Sequence, residues 1–408
     1  MECYIVGGFV RDRLLGRNAQ DRDWVVIGSQ PDEMLRRGFK PVGQDFPVFL
    51  HPHTGEEYAL ARTERKTGQG HQGFSFHADP TVTLADDLVR RDLTINALAQ
   101  TADGQLIDPL GFQPDLERRV LRHIGPAFGE DPLRVLRVAR FAAQLAPLGF
   151  SLAPETASLM QQMAQSGELT SLTAERVWQE THKALASPNP ARYFEVLRQT
   201  GALAVLFPEV EALFGVPQPP QYHPEIDSGV HTLLALTACA QLTDDPAIRF
   251  AMLCHDLGKA LTPREEWPRH IGHEARGVAP ARALCTRLRV PRVVQELALL
   301  VTAQHGRVHQ ALQMRPATLL DLLESLDGFR RPDRLEAVLT ACTADARGRL
   351  GSENCDYPQA DKLRRALACA QQVSPAPWVA AGLNGQAIKA ALHQARVQVL
   401  ADTFCSSD

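Results

Sequence analysis

The chain has 408 residues, of which 44% are hydrophobic and 22% are charged, and this length predicts two to four globular domains at about 100 to 200 residues each. The composition excludes collagen-like, fibrous and disordered proteins, and a formal net charge of -4 argues against a protein that coats nucleic acid without selectivity. Since the sequence has no run of eighteen apolar residues and no signal-peptide pattern, we expect a cytoplasmic protein without membrane spans. The eight cysteines form no C-x-x-C pair, which predicts reduced thiols.

Short β-type runs such as CYIVGG and DWVVIG alternate with loops and helices up to about residue 110, which predicts an α+β head with a small mixed sheet. After residue 115 the strand signals stop and the chain is predicted to be all-α, with Thr173, Asp245 and Asp361 as helix caps. The predicted helices are 132–146, 155–165, 174–186, 190–204, 230–242, 246–258, 279–288, 292–304, 316–325, 332–345, 361–372 and 386–400.

The proline-rich segment FGVPQPPQYHPE, residues 214–225, is the clearest predicted linker, because consecutive prolines break helices and favour extended backbone. It divides the helical part of the chain in two. The expected domains are a head at 1–114, a helical neck and body at 115–213, a linker at 214–227, a histidine-containing domain at 228–330 and C-terminal helices at 331–408.

The first predicted strand runs into a double glycine, in the sequence GGFVRDRLLGRNAQDRDWVV. Gly8 would let the backbone approach a phosphate group, and Arg11 follows at a distance that reaches the same group. Asp21 and Asp23 are two residues apart, so at the start of a strand both carboxylates lie on one face, where they can hold one or two magnesium ions. A simple turn and an exposed strand start are the alternatives for each fragment alone.

Together these residues resemble the signature of the polymerase-β-like nucleotidyltransferases, in particular the bacterial group that contains CCA-adding enzymes and poly(A) polymerases. The resemblance implies a polymerase-β-like head followed by helical domains. The segment RRDLTINAL, residues 90–98, is similar to the second motif of this family. That similarity implies that Arg91 meets the triphosphate and that Asp92 and Asn96 lie near the ribose.

The segment EDPLRVLRVAR is similar to the nucleobase-recognition helix of the same family. Asp131 can only accept hydrogen bonds and Arg134 can only donate them, which matches the amino group and ring nitrogen of cytosine and adenine but not of uracil or guanine. An ordinary N-cap role for Asp131 is the alternative. Arg137 and Arg140 follow at three-residue spacing, and we prefer triphosphate contacts for them over a solvated basic face.

Two segments between these motifs carry weaker signals. Glu57 begins an alternating run that would place its side chain beside the two aspartates as a third carboxylate. Residues 65–80, RKTGQGHQGFSFHADP, are rich in glycine and lack hydrophobic periodicity, which predicts a mobile loop. The resemblance links such a loop to the change from C to A addition, so shortening residues 67–73 is expected to spare CC addition and impair the final A.

The segment CHDLGK places His255 and Asp256 side by side, and His231 precedes them on a predicted helix. This pattern resembles the ligand set of HD-type phosphohydrolases, in which a divalent ion activates water, and imidazole ligands favour nickel or another transition metal. The resemblance implies hydrolysis of small phosphoesters such as 2′,3′-cyclic nucleotides. The last ligand is open, because Asp321 and Asp327 are the next carboxylates and neither matches well. Further histidines follow at 270, 273, 305 and 309.

The leading hypothesis is a tRNA nucleotidyltransferase that adds CCA without a template from CTP and ATP, uses magnesium and releases pyrophosphate. A bacterial poly(A) polymerase is disfavoured by the histidine segment and by the lack of a basic tail. An HD phosphohydrolase with a degenerate RNA-binding head is disfavoured by the intact Asp21, Asp23 and Arg11. We expect tRNA along residues 140–213 and a monomer or weak homo-oligomer.

Overall fold

The computed structural model describes residues 1–19, 21–42, 48–66, 74–77 and 79–404. The chain divides into two compact units, Met1–Leu206 and Phe207–Asp408. Within the described ranges, no helix combines the length and apolar composition that a bilayer crossing requires. The finer domain boundaries expected from the sequence remain predictions.

Eleven strands occur among the described residues, and all of them lie in the first unit. They are β1 (Glu2–Val6), β2 (Asp23–Ile27), β3 (Lys40–Val42), β4 (Val48–Leu50), β5 (Glu57–Leu60), β6 (Thr63–Lys66), β7 (Phe74–His77), β8 (Ala99–Gln100), β9 (Leu106–Ile107), β10 (Val120–Leu121) and β11 (Ser151–Leu152). Seven form one sheet in the order β3-β4-β5-β2-β1-β8-β9, in which β2 pairs in parallel with β5 and antiparallel with β1. The predicted α+β head with a mixed sheet is therefore confirmed.

The centre of this sheet is built from the apolar runs that the sequence shows. Trp24 and Val26 are buried on β2, beside Ile5 and Val6 of β1. Aromatic and β-branched side chains favour such a pleated, covered surface. Because β2 begins at Asp23, the acidic pair of the sequence lies where the central strand starts.

The loop predicted over residues 65–80 is wrong in part, because β6 and β7 pair antiparallel there. The alternation in FSFH is a strand signal, but it is too short to stand out beside three glycines. Residues 67–73 lie outside the described residues, as does the predicted effect of shortening them.

The helices of the first unit are α1 (Gly8–Leu14), α2 (Pro31–Arg36), α3 (Leu84–Val89), α4 (Gln113–Glu117), α5 (Leu133–Leu145), α6 (Pro154–Gln165), α7 (Ala174–Leu185), α8 (Pro190–Gln199) and α9 (Ala202–Leu206). α5 packs against α7 and α8 through its buried apolar face. The single helix predicted over 190–204 is wrong, because Gly201 takes φ of 75° and ends α8. Strands β10 and β11 also lie beyond residue 115, where none is predicted, since two residues carry no period.

The second unit is entirely helical in the part of the chain that is described, as predicted. Its helices are α10 (Pro208–Glu211), α11 (Ser228–Leu242), α12 (Pro246–Cys254), α13 (His273–Arg287), α14 (Arg292–His309), α15 (Pro316–Ser325), α16 (Pro332–Arg347), α17 (Pro358–Gln371), α18 (Ala376–Ala380) and α19 (Gly385–Phe404). Helices α11, α12, α14 and α16 pack on one another and place their inward side chains in one interior.

Two helix limits in this unit differ from the predicted ones for physical reasons. The predicted start at 279 puts Pro280 in a first turn, whereas α13 begins at His273 and keeps the proline inside. α12 ends at Cys254 instead of continuing to 258, and a 3-10 turn follows at Leu257–Leu261. Both differences change how the histidines between these helices are presented.

Of the three predicted caps, one acts as a cap through its side chain. Asp245 accepts a hydrogen bond from the Ala247 N–H at 2.8 Å. Thr173 occupies the position before α7 but makes no side-chain capping bond. The prediction for Asp361 is wrong, because α17 begins at Pro358 and the aspartate lies inside its first turn.

Candidate functional site

A cavity of about 520 Å³ opens in the first unit beside the β1–α1 turn and the start of α5. Seven arginines and three aspartates line it, so it is cationic although the chain as a whole is slightly acidic. The lining residues are Gly7, Gly8, Arg11, Asp23, Arg90, Arg91, Asp92, Asn96, Asp131, Leu133, Arg134, Arg137, Arg140, Phe141, Gln144 and Arg176. Every nucleotide-binding residue predicted from the sequence is among them, whereas of the predicted catalytic pair Asp23 is and Asp21 is not.

The turn between β1 and α1 requires glycine. Gly7 has φ of 75°, a left-handed conformation that side chains other than glycine rarely adopt. A Cβ at Gly7 would come within 3.0 Å of Arg91 Nη1, and one at Gly8 would lie 3.6 Å from Arg11 Nη2. The double glycine therefore lets two guanidinium groups lie close to the backbone at the cavity wall.

Carboxylates gather where the central strands start. Asp23, the first residue of β2, is the parallel register partner of Glu57, the first residue of β5. Burial raises the pKa of Asp23, and Glu57 and Asp21 raise it further, although Arg91 opposes them. Carboxylate oxygens are the ligands that magnesium prefers, and a cation relieves their mutual repulsion. The donor set therefore fits a magnesium ion.

The arrangement of this acidic group is looser than expected. The prediction that Asp21 and Asp23 both begin a strand is wrong, because β2 starts at Asp23 and Asp21 precedes it. Among the described residues, groups of three ligand atoms within 4.8 Å of one another occur in the second unit, and Asp21, Asp23 and Glu57 do not form one. The first unit thus offers carboxylates near one another but not a closed cage.

Asp92 is buried and stands at the centre of a hydrogen-bonded row. It accepts hydrogen bonds from Arg137 Nε at 2.7 Å and from Asn96 Nδ2 at 3.0 Å. The Asn96 side-chain oxygen accepts in turn from Arg11 Nη1 at 2.7 Å. Burial alone would raise the pKa of Asp92, but Arg137 and these hydrogen bonds lower it to about 2. The charged Asp92 therefore holds two cavity arginines in place.

Other arginines of the cavity also have carboxylate partners. The pairs and their separations are Arg91 with Asp87 at 3.3 Å, Arg140 with Glu180 at 2.6 Å and Arg176 with Asp131 at 3.2 Å. A guanidinium has five N–H donors, so one such pair leaves donors for a ligand. The cavity thus presents fixed cations without leaving them uncompensated.

Asp131 and Arg134 lie at the start of α5, and both make contacts within the chain. Asp131 Oδ1 caps the helix by accepting from the N–H two residues on at 3.0 Å, and Oδ2 accepts from Arg176 at 3.2 Å. Arg134 donates to the main-chain carbonyls of Ala127 at 3.1 Å and Arg90 at 2.6 Å. Since a carboxylate oxygen has two lone pairs, Oδ2 can accept a second donor, whereas Arg134 has to share its carbonyl contacts.

Two cavity residues were missed from the sequence. The ring of Phe141 lies under three guanidinium groups, at 5.0 Å from Arg11, 5.7 Å from Arg137 and 4.2 Å from Arg140. Its position one residue after the arginine series is the available signal. Arg176 is on α7, and no motif marks it, because its approach to the cavity depends on how α7 packs on α5.

In the second unit the three predicted metal ligands come together in the interior. His231 lies on α11, and His255 and Asp256 directly follow α12. Asp256 Oδ2 lies 3.1 Å from His255 Nε2 and 3.8 Å from His231 Nε2. All three side chains are buried, so polar contacts among them are not diluted by water.

Asp345 completes this group, and sequence reasoning missed it. Its Oδ1 lies 3.0 Å from His231 Nε2 and 3.9 Å from His255 Nε2. Asp321 and Asp327, the carboxylates considered from the sequence, are not in the group. The available signal was a charged residue on the inward face of α16, because such residues are rarely buried without a partner.

Both carboxylates of this group remain ionised. Burial alone would raise their pKa, but His255 and Lys259 hold the pKa of Asp256 well below its usual range. His309 and His231 do the same for the pKa of Asp345. Metal ligands have to be deprotonated, so both side chains are ready to bind a cation.

His255 presents a free lone pair to the same group. Its Nδ1 lies 2.6 Å from the Met252 carbonyl oxygen, which can only accept, so Nδ1 carries the proton and Nε2 does not. Burial lowers the pKa of this ring, and Nε2 makes no hydrogen bond to any described residue. A neutral imidazole nitrogen facing two carboxylates fits a divalent transition-metal ion.

Three protein-family models match the chain. They are described as the poly A polymerase head domain over residues 3–122, the probable RNA and SrmB-binding site of polymerase A over 149–214 and the HD domain over 229–345. The last match ends at Asp345, beyond the end at 330 that was predicted for this domain.

A multifunctional CCA protein from Pseudomonas aeruginosa is 59% identical over 400 residues, which cover 98% of each chain. Among solved structures, the Bacillus stearothermophilus CCA-adding enzyme in complex with CTP has a TM-score of 0.63 and 24% identity, over 98% of this chain and 89% of that one. The Thermotoga maritima CCA-adding enzyme complexed with tRNA has a TM-score of 0.63 and 20% identity, over 100% and 92%. The likeness to these two structures concerns the fold alone.

Proposed function

The chain belongs to the multifunctional CCA protein family, and on this premise we propose that the cavity of the first unit adds C, C and A to the 3′ end of tRNA without a template. CTP and ATP are the donors and pyrophosphate is the leaving group. The observation that carries the proposal is the cavity itself, where seven arginines and Asp23 surround about 520 Å³. A nucleoside triphosphate needs cations along its phosphates and a metal site at the reacting phosphorus.

The arginines hold the triphosphate and take up charge from the leaving group. Arg11 and Arg137 are fixed through Asn96 and Asp92, and Arg91 and Arg140 have carboxylate partners of their own. Donors that are oriented before the substrate arrives need no reorganisation during the reaction. The terminal 3′ hydroxyl of the RNA attacks the α-phosphorus, and the bond between this phosphorus and pyrophosphate breaks.

Asp21 and Asp23, with Glu57 as a third candidate, would hold magnesium, which when bound polarises the α-phosphate and lowers the pKa of the attacking hydroxyl. The contribution of the chain is to gather these carboxylates through the parallel register of β2 and β5. Burial, which raises the pKa of Asp23, makes a cation at this point more favourable than at an exposed aspartate.

Asp131 and Arg134 select the base. Asp131 Oδ2 accepts from the amino group of cytosine or adenine, and Arg134 donates to the adjacent ring nitrogen. Uracil and guanine would set acceptor against acceptor, and each unpaired buried group costs on the order of 1–3 kcal/mol. Asp92, with Asn96, belongs beside the ribose in this assignment.

The buried cluster of the second unit supports a further activity, the hydrolysis of small phosphoesters such as 2′,3′-cyclic nucleotides and 2′-nucleotides. His231, His255, Asp256 and Asp345 would hold nickel or another divalent transition metal, which when bound activates water. The free lone pair of His255 Nε2 is the observation that supports it.

The RNA partner is assigned to the helices that follow the cavity, α6 to α9, where an A-form acceptor stem is recognised by shape and phosphates. The family model for an RNA-binding site over residues 149–214 supports this assignment. The protein acts as a monomer or weak homo-oligomer in the cytoplasm.

One assay tests the transferase proposal against its alternatives. The full chain is incubated with magnesium, tRNA that lacks its 3′ CCA, and each labelled NTP alone and then together. CTP and then ATP should be incorporated, synthesis should stop after three nucleotides, and Asp21→Ala should abolish it while Asp32→Ala, an exposed aspartate on α2, should not. Long A tails would indicate a poly(A) polymerase instead, and phosphatase activity without any incorporation would indicate a degenerate head.

A further inference from the structure

The histidine cluster of the second unit continues beyond the four assigned ligands. Asp256 Oδ1, the oxygen not used in the first group, lies 3.3 Å from His273 Nε2 and 3.6 Å from His305 Nε2. The two imidazole nitrogens are 3.1 Å apart. Asp256 Oδ1 is buried and makes no hydrogen bond to any described residue. One carboxylate thus has an oxygen in each of two ligand triads.

The protonation of His273 and His305 follows from their other contacts. His273 Nδ1 lies 3.0 Å from the His270 carbonyl oxygen, and His305 Nδ1 lies 3.1 Å and 3.2 Å from the carbonyl oxygens of Val301 and Thr302. Carbonyl oxygens only accept, so both Nδ1 atoms carry the proton in the neutral rings. Two Nε2 lone pairs then face each other and Asp256 Oδ1, which is a donor set without a cation.

Glycines press the elements that carry these ligands together. A Cβ at Gly258, two residues after Asp256, would collide with the His273 carbonyl oxygen and with the backbone of Gly277. A Cβ at Gly277 would in turn lie 2.8 Å from Thr302 on α14. This close approach fixes His273 over the same carboxylate that His255 and His231 share. The convergence is therefore built into the packing of α13 and α14.

We propose that the second unit holds two divalent transition-metal ions bridged by the carboxylate of Asp256, with His273 and His305 as ligands of the second ion. The proposal rests on the metal site assigned above to His231, His255, Asp256 and Asp345. Two bridged ions bind a phosphoryl group through two of its oxygens, so phosphate esters are the ligand class that this centre takes.

A proton shared between the two imidazoles is the competing explanation for their short separation. Such a pair would carry one positive charge beside Asp256 and would need no metal. The two explanations differ in the number of ions bound, which can be measured directly without any activity assay.

The test counts ions in the full chain. An Asp21→Ala/Asp23→Ala version removes the carboxylates of the first unit from the count. The protein is stripped with a chelator, reloaded with Mn²⁺, desalted and measured by mass spectrometry of the metal and by electron paramagnetic resonance. We expect two ions per chain and a spin-coupled signal, and one ion with an isolated six-line signal in His273→Ala and in His305→Ala. The same two substitutions in the otherwise unchanged chain should leave CCA addition intact, which shows that the protein is folded.

Each other outcome is decisive. A single ion that neither substitution affects would overturn the two-ion centre and leave the single site standing. If the chain binds no ion, both the single site and the pair fall. His393→Ala is the matched control, because His393 forms an exposed group with Asp321 and Glu324, and loss of the second ion there would place it outside this cluster.

Discussion

The two candidate sites of this chain treat buried charge in opposite ways. In the first unit, Arg137 is paired with Asp92, Arg140 with Glu180 and Arg176 with Asp131 around a cavity open to a large substrate. In the second unit, imidazole nitrogens and carboxylates converge in the interior, and atoms such as His255 Nε2 have no hydrogen-bond partner among the described residues. A site that repeatedly binds and releases a polyanion has to stay satisfied when empty, whereas one that retains a metal ion does not.

The same contrast applies to the metals that the two sites suit. Magnesium keeps several waters and is commonly held by one or two carboxylates together with substrate phosphates. The loose acidic group around Asp23 and Glu57 suits such an ion, which arrives with the nucleotide. Imidazole ligands arranged before metal binding, as at His231 and His255, suit a transition-metal ion that the protein alone coordinates.

The largest expected effect tests whether the closed cluster depends on its fourth ligand. Asp345→Asn removes the carboxylate between His231 and His255, so the affinity of the second unit for Ni²⁺ should fall on the order of 100-fold or more. Titration calorimetry measures this affinity, and CCA addition should be unchanged. Asp321→Asn is the matched control, and an equal loss in that variant would return the role to the carboxylate that the sequence suggested.

The next prediction tests the pairing in the open site. A folded pKa of about 2 for Asp92, against an ordinary 3.9, contributes about 2–3 kcal/mol of stability. Because the folded pKa is lowered, this contribution is complete above pH 4 and is lost as the pH falls toward 2. The wild type should therefore exceed Asp92→Asn in unfolding free energy by a constant amount from pH 7 to pH 5, with the difference shrinking below about pH 4.

Urea unfolding in a Trp267→Phe/Trp378→Phe background measures this difference, because the remaining tryptophans, Trp24 and Trp178, report on the first unit. A difference that already declines between pH 7 and pH 5 would contradict the prediction, since Asp92 would then titrate in its ordinary range or above it.

A smaller effect is expected for base selection. Asp131→Asn replaces an acceptor by an amide that can also donate, so uracil is no longer faced by acceptors alone. The preference for CTP over UTP should fall about tenfold, which corresponds to part of one mismatched hydrogen bond. Single-nucleotide incorporation rates measure it. Glu130→Gln changes the adjacent carboxylate of the same motif, and a similar loss of preference there would mean that general charge, not Asp131, selects the base.

The local parts of both sites could be predicted from the sequence because their residues are close together in the chain. Gly8 and Arg11 share one turn, and His255 and Asp256 are neighbours, so spacing alone places them together. Asp345 and Arg176 could not be found in this way. Each reaches its site through the packing of one helix on another, α16 on α11 and α7 on α5, and a single sequence does not encode that distance.

The same distinction holds for the fold. The apolar runs of β1 and β2 predict the centre of the sheet, because their periodicity extends over several residues. The two-residue strands β10 and β11 have no period to detect. The break at Gly201 depends on a backbone conformation, since glycine inside a helix is tolerated elsewhere.

The smallest expected effect concerns the surroundings of the closed cluster. Asp345 Oδ2 lies 2.6 Å from His309 Nε2, and the Tyr357 hydroxyl lies 2.7 Å from His309 Nδ1. Since the carboxylate can only accept, Nε2 carries the proton, and Nδ1 of the neutral ring accepts from the tyrosine. Burial raises the pKa of Tyr357, so its hydroxyl keeps the proton that it donates. Tyr357 thereby fixes the tautomer that orients Asp345.

Tyr357→Phe should weaken Ni²⁺ binding by two- to tenfold, the value of one neutral hydrogen bond of about 0.5–1.5 kcal/mol. Tyr222→Phe, which alters an exposed tyrosine of the same unit, should change nothing. A loss as large as that in Asp345→Asn would mean that the ligands of the cluster are held from outside rather than by their own convergence. The closed site would then depend on supporting pairs as much as the arginine cavity does, and the contrast between the two units would not hold.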